Sequence, residues 1–197
     1  MLPGSLYVLL DANIIIEAHM QGVWASLIQR ATIVIPSIVL REAQGYHDLA
    51  TGEYVPIHLE EALATGLIRE IAASVEQLAE LRTRFDSIFV QRMDPGESEA
   101  LALLLAGALP GARFCTADGP AIRALSLLQM ADMGVSFEAL LHDVGLQHRL
   151  RNHFSERFFR EMRERGAQEF IRGEGLRRPG PDTRPKARRR GRPKRKP

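Results

Sequence analysis

Residues 6 to 11, Leu-Tyr-Val-Leu-Leu-Asp, form an unbroken apolar run closed by an acid. Such a run suits a strand buried on both faces of a parallel sheet, since a half-solvated strand would alternate with polar residues. The segments that follow keep a matching rhythm. Residues 13 to 30 read as one or two helices broken near Gln21-Gly22, residues 32 to 35 (Thr-Ile-Val-Ile) as a β-branched strand, and residues 37 to 44 as a helix after Pro36-Ser37. Strand, helix, strand, helix predicts an α/β fold, a parallel β-sheet flanked by helices in three layers.

Further along, Gly, Pro and Asp punctuate residues 46 to 58, which predicts a loop with a short extended piece. Residues 59 to 92 read as mainly helical, with Val75, Leu78, Leu81, Phe85, Ile88 and Phe89 as one apolar stripe for packing. A strongly apolar helix is expected over 95 to 107, a strand over 112 to 116, a helix over 119 to 130 and a short strand over 134 to 137 before another helix. Residues 149 to 171 have the pattern of a charged amphipathic helix, suited to packing on the domain or to a homodimer contact. After Gly173 the composition collapses into Arg, Lys, Pro and Gly, which cannot build a core and is expected to be disordered. The expected organisation is a domain over 1 to 147, a C-terminal helix over 148 to 172 and a basic tail over 173 to 197.

The formal charge of +2 conceals a division. Residues 1 to 172 hold 15 Arg, no Lys and 22 acids, a balance of −7, whereas residues 173 to 197 hold 11 basic residues against 2 acids, a balance of +9. An acidic body carries a basic tail. The single Cys115, set in apolar sequence, reads as a small buried thiol and excludes a disulfide framework within one chain. The longest apolar stretch, residues 100 to 109, is too short to span a bilayer, so the expectation is a cytoplasmic protein with no membrane partner.

Four acids stand where strands end or helices begin: Asp11, Glu42, Glu99 and Asp118. Open α/β sheets bind ligands beyond the carboxyl ends of their strands, so folding would bring these charges towards one cleft. Their repulsion raises pKa values unless a cation enters, and oxygen donors without a His or Cys cluster favour Mg²⁺ or Mn²⁺ over zinc. Each acid also has a simpler reading. Asp11 and Asp118 suit helix N-caps, and Asp94-Pro95-Gly96-Glu97 has the form of a capped helix start. That start assigns Glu97 to the helix terminus and favours Glu99 as the ligand, with Glu97 as the alternative.

The ordered set Leu10-Asp11-Ala12-Asn13, Pro36-Ser37 through Glu42, Gly96-Glu97-Ser98-Glu99-Ala100-Leu101 and Thr116-Ala117-Asp118 resembles the PIN-domain nucleases over roughly residues 6 to 145. The resemblance implies that Asp11, Glu42, Glu99 and Asp118 are catalytic and hold Mg²⁺ or Mn²⁺. It implies that Asn13, Ser37 and Thr116 orient ligands or water. The family's usual activity is metal-dependent cleavage of RNA phosphodiesters to 5′-phosphate and 3′-hydroxyl ends. Many bacterial members are VapC-type toxins neutralised by a small antitoxin, which makes RNA and an antitoxin the implied partners. The chain departs from the pattern in its paired Glu97 and Glu99, a longer middle insertion and the basic tail.

Residues 188 to 196, Arg-Arg-Arg-Gly-Arg-Pro-Lys-Arg-Lys, resemble an AT-hook. In that reading Arg190, Arg192, Lys194 and Arg195 reach along a narrow minor groove. The simpler reading is a polycation that binds any phosphate backbone by releasing counterions. Either makes nucleic acid the partner. The leading expectation is therefore a metal-dependent endoribonuclease, and the alternatives are a DNA-binding module or a DNA-directed nuclease that uses the tail. Arg123, one turn past Asp118, reads either as a phosphate contact or as a solvated surface residue.

Overall fold

The structure is a computed structural model and describes residues 6 to 177. The tail residues Arg190, Arg192, Lys194 and Arg195, and the disorder expected around them, lie outside the described residues.

Strand β1 (Leu6–Leu10) leads through helices α1 (Ala12–Met20) and α2 (Trp24–Arg30) to β2 (Ala31–Pro36), and α3 (Ser37–Glu42) follows at once. A hairpin of β3 (Gly45–His47) and β4 (Tyr54–Pro56) and a short α4 (Glu60–Ala64) precede β5 (Ile68–Ile71). Helices α5 (Val75–Arg84), α6 (Ser87–Val90) and α7 (Pro95–Leu105) return the chain to β6 (Arg113–Cys115). After it come α8 (Gly119–Leu127), β7 (Gly134–Val135), α9 (Phe137–Asp143) and α10 (Glu156–Arg172). The sheet runs β5-β2-β1-β6-β7 with every neighbouring pair parallel.

Because successive side chains of a strand point to opposite faces, the unbroken apolar runs feed two cores at once. Val8, Leu10, Ile33, Ile35 and Cys115 face one side, where Ile14, Ile15, Leu27 and Phe137 from α1, α2 and α9 cover them. Leu9, Val34 and Phe114 face the other, under Leu81, Phe89, Leu101 and Leu125 from α5 to α8. The result is the expected layering of helices, parallel sheet and helices. No helix among the described residues is long and apolar enough to cross a membrane.

Helix α10 packs on α8 rather than standing apart. Phe159 and Met162 bury against Ile122, and the Ser126 hydroxyl donates to the Arg163 carbonyl at 3.0 Å. Gly166 makes the approach possible, since a Cβ there would lie 2.7 Å from the Arg123 carbonyl oxygen.

Residues 59 to 92 are mainly helical, as α4, α5 and α6, but a strand that the sequence reading lacks interrupts them. Gly66, at φ +71°, turns the chain after α4, and Ile68–Ile71 becomes the edge strand β5. Its two isoleucines are three residues apart, the spacing of one helix face, and in the strand they serve opposite cores instead. The apolar stripe also breaks: Ser74 caps α5 and leaves Val75 exposed, and Asp86 caps α6 in a new register that leaves Ile88 exposed.

Glu17, fully buried on α1, accepts from Gln21 at 2.9 Å and is ion-paired to Arg151 in the segment after α9. Removing one partner leaves a buried charge, whereas removing both leaves an apolar contact. Arg151→Met is therefore expected to lower stability by about 3 kcal/mol. The double variant Glu17→Met, Arg151→Met is expected to recover most of that loss, as urea unfolding midpoints will report.

Candidate active site

From β1 the chain steps outward through β2 to β5, then returns to the opposite side of β1 as β6. The connections leave on opposite faces, and a crevice opens beyond the carboxyl ends of β1 and β6. Asp11 is the first residue beyond β1. Its N–H donates to the Cys115 carbonyl at 3.1 Å, and its Oδ1 accepts the Ala12 N–H at 2.7 Å as the cap of α1. Thr116, the first residue beyond β6, is buried and donates its hydroxyl to Asp11 Oδ2 at 2.9 Å. The same hydroxyl accepts the Asp118 N–H at 3.0 Å, so one side chain fixes the backbone of one acid and the carboxylate of the other. Asp118 caps α8 through the Ala121 N–H at 2.8 Å.

The third wall is the start of α7. Glu97, only 3 % exposed, accepts the Asp94 N–H at 3.1 Å and hydrogen-bonds Asp118, carboxyl to carboxylate. Glu42, at the exposed end of α3, closes the rim. It bonds the backbone of Gly96, where a Cβ would lie 2.6 Å from Glu42 Oε2, so the absence of a side chain there admits the carboxylate.

Crowding sets the electrostatics. Burial, then the charges of Asp118 and Asp11, push Glu97 up to about 9. Burial also raises Asp11, to about 6, against the lowering effect of its bonds to Thr116 and Ala12. Asp118 and Glu42 are raised as well, burial first, with Asp94 adding repulsion to both. Glu97 is therefore held protonated at neutral pH. Cys115 lies beneath, fully buried, its thiol pushed well above the ordinary range.

The residues singled out in sequence divide into two groups. Asp11, Asp118 and Thr116 meet at the crevice, with Glu42 on its rim. Glu99 acts on Glu42 through its charge, but its carboxylate is buried against the backbone, accepting the Ile38 N–H at 2.7 Å and the Ala73 N–H at 3.1 Å. The sequence preference for Glu99 over Glu97 is thus reversed in placement. Glu97 both supports the helix start and enters the crevice, while Glu99 ties α3 and the end of β5 to α7. Ser37 turns to β5, donating to Glu70 Oε1 at 2.6 Å, and Asn13 is exposed on the first turn of α1. Arg123 is neither free nor solvated; it pairs with Glu169 of α10 at 2.7 Å and lies over the Phe89 ring. Asp94 reads in sequence as a cap alone, yet its charge acts on Glu42, Glu97 and Asp118.

Among the described residues no three His, Cys, Asp or Glu side chains already stand in a metal-holding arrangement. The donor chemistry nevertheless fits a hard divalent ion: carboxylate oxygens, with Asp11 and Glu97 only 3 % exposed and crowded enough that Glu97 is held protonated. No family model, curated protein or solved structure matches the chain.

The raised Glu97 makes stability depend on pH. An unfolded chain releases this proton near 4.5 and the native one near 9, so between them the native state binds more protons and stability falls as pH rises. Glu97→Gln is expected to flatten that fall and to raise the melting temperature at pH 8, measured without divalent ions. Glu99→Ala strands two backbone donors and is expected to cost about 2 kcal/mol or more in urea unfolding.

Proposed function

We propose that this chain is a PIN-like endoribonuclease dependent on Mg²⁺ or Mn²⁺. The observation that carries the reading is the meeting of Asp11, Glu97 and Asp118 at the point where the sheet reverses its strand order, with Thr116 locking two of them. Structural acids are spread to meet cations; these are gathered against one another, which favours a site that waits for a cation.

Asp11, Glu97 and Asp118 would hold the ion, with Glu42 at the rim. When bound, such an ion activates water and offsets the charge that builds on the phosphoryl oxygens. Thr116 keeps Asp11 and Asp118 in fixed orientation, as partners behind metal ligands do. Glu97 must release its proton to solvent before it can serve as an anionic ligand beside Asp118. The apolar floor of β1 and β6 excludes water from below the carboxylates and strengthens their field.

Labelled single-stranded RNA and DNA, incubated with the protein and Mn²⁺ or with chelator, test the reading. The expected result is chelator-sensitive cleavage of RNA. It should be abolished by Asp11→Asn and lowered about 10- to 100-fold by Thr116→Val. Cleavage of DNA alone would instead support the DNA-directed alternative, and cleavage that survives Asp11→Asn would place the chemistry elsewhere.

A further inference from the structure

Two residues beyond Glu42, at the rim of the crevice, the chain enters the hairpin of β3 and β4, whose two faces differ. Tyr46 and Val55 are paired on one face, where Tyr46 packs on the first core. His47 and Tyr54 form the next pair, on the outward face with Gly45 and Pro56. That outward face carries aromatic rings and no acid.

Tyr54 is 54 % exposed, yet it is fixed in place. Its hydroxyl donates to the Gln44 carbonyl at 3.1 Å, and its ring meets that of His47 with centroids 5.5 Å apart and planes at 64°. The ring also lies over Gly45, where a Cβ would collide with it. The turn beyond is set as firmly. Asp48 Oδ1 accepts the Ala50 and Thr51 N–H groups, each at 2.9 Å, and the Gly52 N–H donates to the Asp48 carbonyl at 2.8 Å. An exposed ring held this way has little freedom left to lose when a ligand binds.

Its place beside the crevice is the second observation. The Gln44 N–H donates to the Glu42 carbonyl at 2.9 Å, and the Gln44 carbonyl accepts from Tyr54, so the Tyr54 hydroxyl lies within about 10 Å of the Glu42 carbonyl. The Ile57 N–H donates to the same Gln44 carbonyl at 2.9 Å and closes the base of the hairpin.

The charge of the body narrows what such a face can hold. With a balance of −7 over residues 1 to 172, the body repels the phosphates of a strand, whereas the π-face of a base carries no net charge. Stacking on an aromatic ring attracts any base, whatever the sequence. Only unpaired bases can be splayed onto a protein ring in this way.

We propose that Tyr54, with His47 at its edge, is a stacking platform for an unpaired base of single-stranded RNA, and that it holds the strand at the Glu42 rim of the crevice. The identity of the strand as RNA rests on the nuclease reading above, whereas stacking has readouts of its own.

The full chain in chelator serves for the test. Single-stranded RNA carrying 5-iodouridine, irradiated with the protein, is expected to cross-link to Tyr54 or His47, and the same RNA annealed to its complement is expected not to. In fluorescence anisotropy, Tyr54→Ala is expected to weaken binding of single-stranded RNA at least about fivefold at every salt concentration. The slope of log K against log salt should not change, because no phosphate contact is lost. Tyr54→Phe keeps the ring and is expected to bind within about twofold of the native chain, whereas Tyr54→Leu, apolar but without a π-face, is expected to behave as the alanine variant. Native affinity in Tyr54→Leu, or cross-links confined to residues outside the hairpin, would overturn the platform. With Mn²⁺ present, Tyr54→Ala is expected to raise KM for RNA cleavage rather than to lower kcat. Cross-linking at Tyr54 without any cleavage would leave the platform standing and refute the nuclease reading; cleavage indifferent to Tyr54→Ala would do the reverse.

Discussion

The hydroxyl of Thr116 joins the two halves of the site. Parallel pairing of β1 with β6 sets Asp11 beside Thr116, and that single donor and acceptor orients Asp11 while holding the backbone of Asp118. Everything acidic in the crevice is arranged around this link. Glu97 can approach Asp118 because α8 starts where Thr116 puts it, and Glu42 can approach because Gly96 leaves room. The cost is mutual repulsion among carboxylates taken out of water, which the protein meets by keeping a proton on Glu97.

The proposed reading turns on this proton. On that reading, a doubly charged ion would displace it from a carboxyl crowded by Asp118 and Asp11, with a gain in electrostatic energy. The surrounding acids that serve structure are handled differently. Glu17 meets Arg151, and Glu99 meets two backbone donors. The contrast between acids kept apart from other carboxylates and acids crowded against one another is what separates scaffold from candidate site in this fold.

Much of this was legible in the sequence, for reasons tied to particular residues. The runs at residues 6 to 11 and 32 to 35 announced buried parallel strands, and acids at their ends announced the crevice. Edge strand β5 was hidden because Ile68 and Ile71 have the spacing of one helix face, and only the sheet, with a core on each side, shows that they serve opposite faces of a strand. The choice between Glu97 and Glu99 was hidden for a related reason. An acid that supports a helix start and one that enters a crevice occupy the same place in sequence, and Glu97 does both, whereas nothing local marks Glu99 as the acceptor for Ile38 and Ala73. Arg123 was ambiguous until α10 supplied Glu169 from 46 residues away.

The proposed reading requires that a cation displace the proton held on Glu97. Calorimetric titration of Mn²⁺ at pH 7, repeated in buffers of different ionisation enthalpy, counts the protons released on binding. About one proton per ion is expected from the full chain and none from Glu97→Gln. Binding without proton release, or no binding at all, would contradict the account.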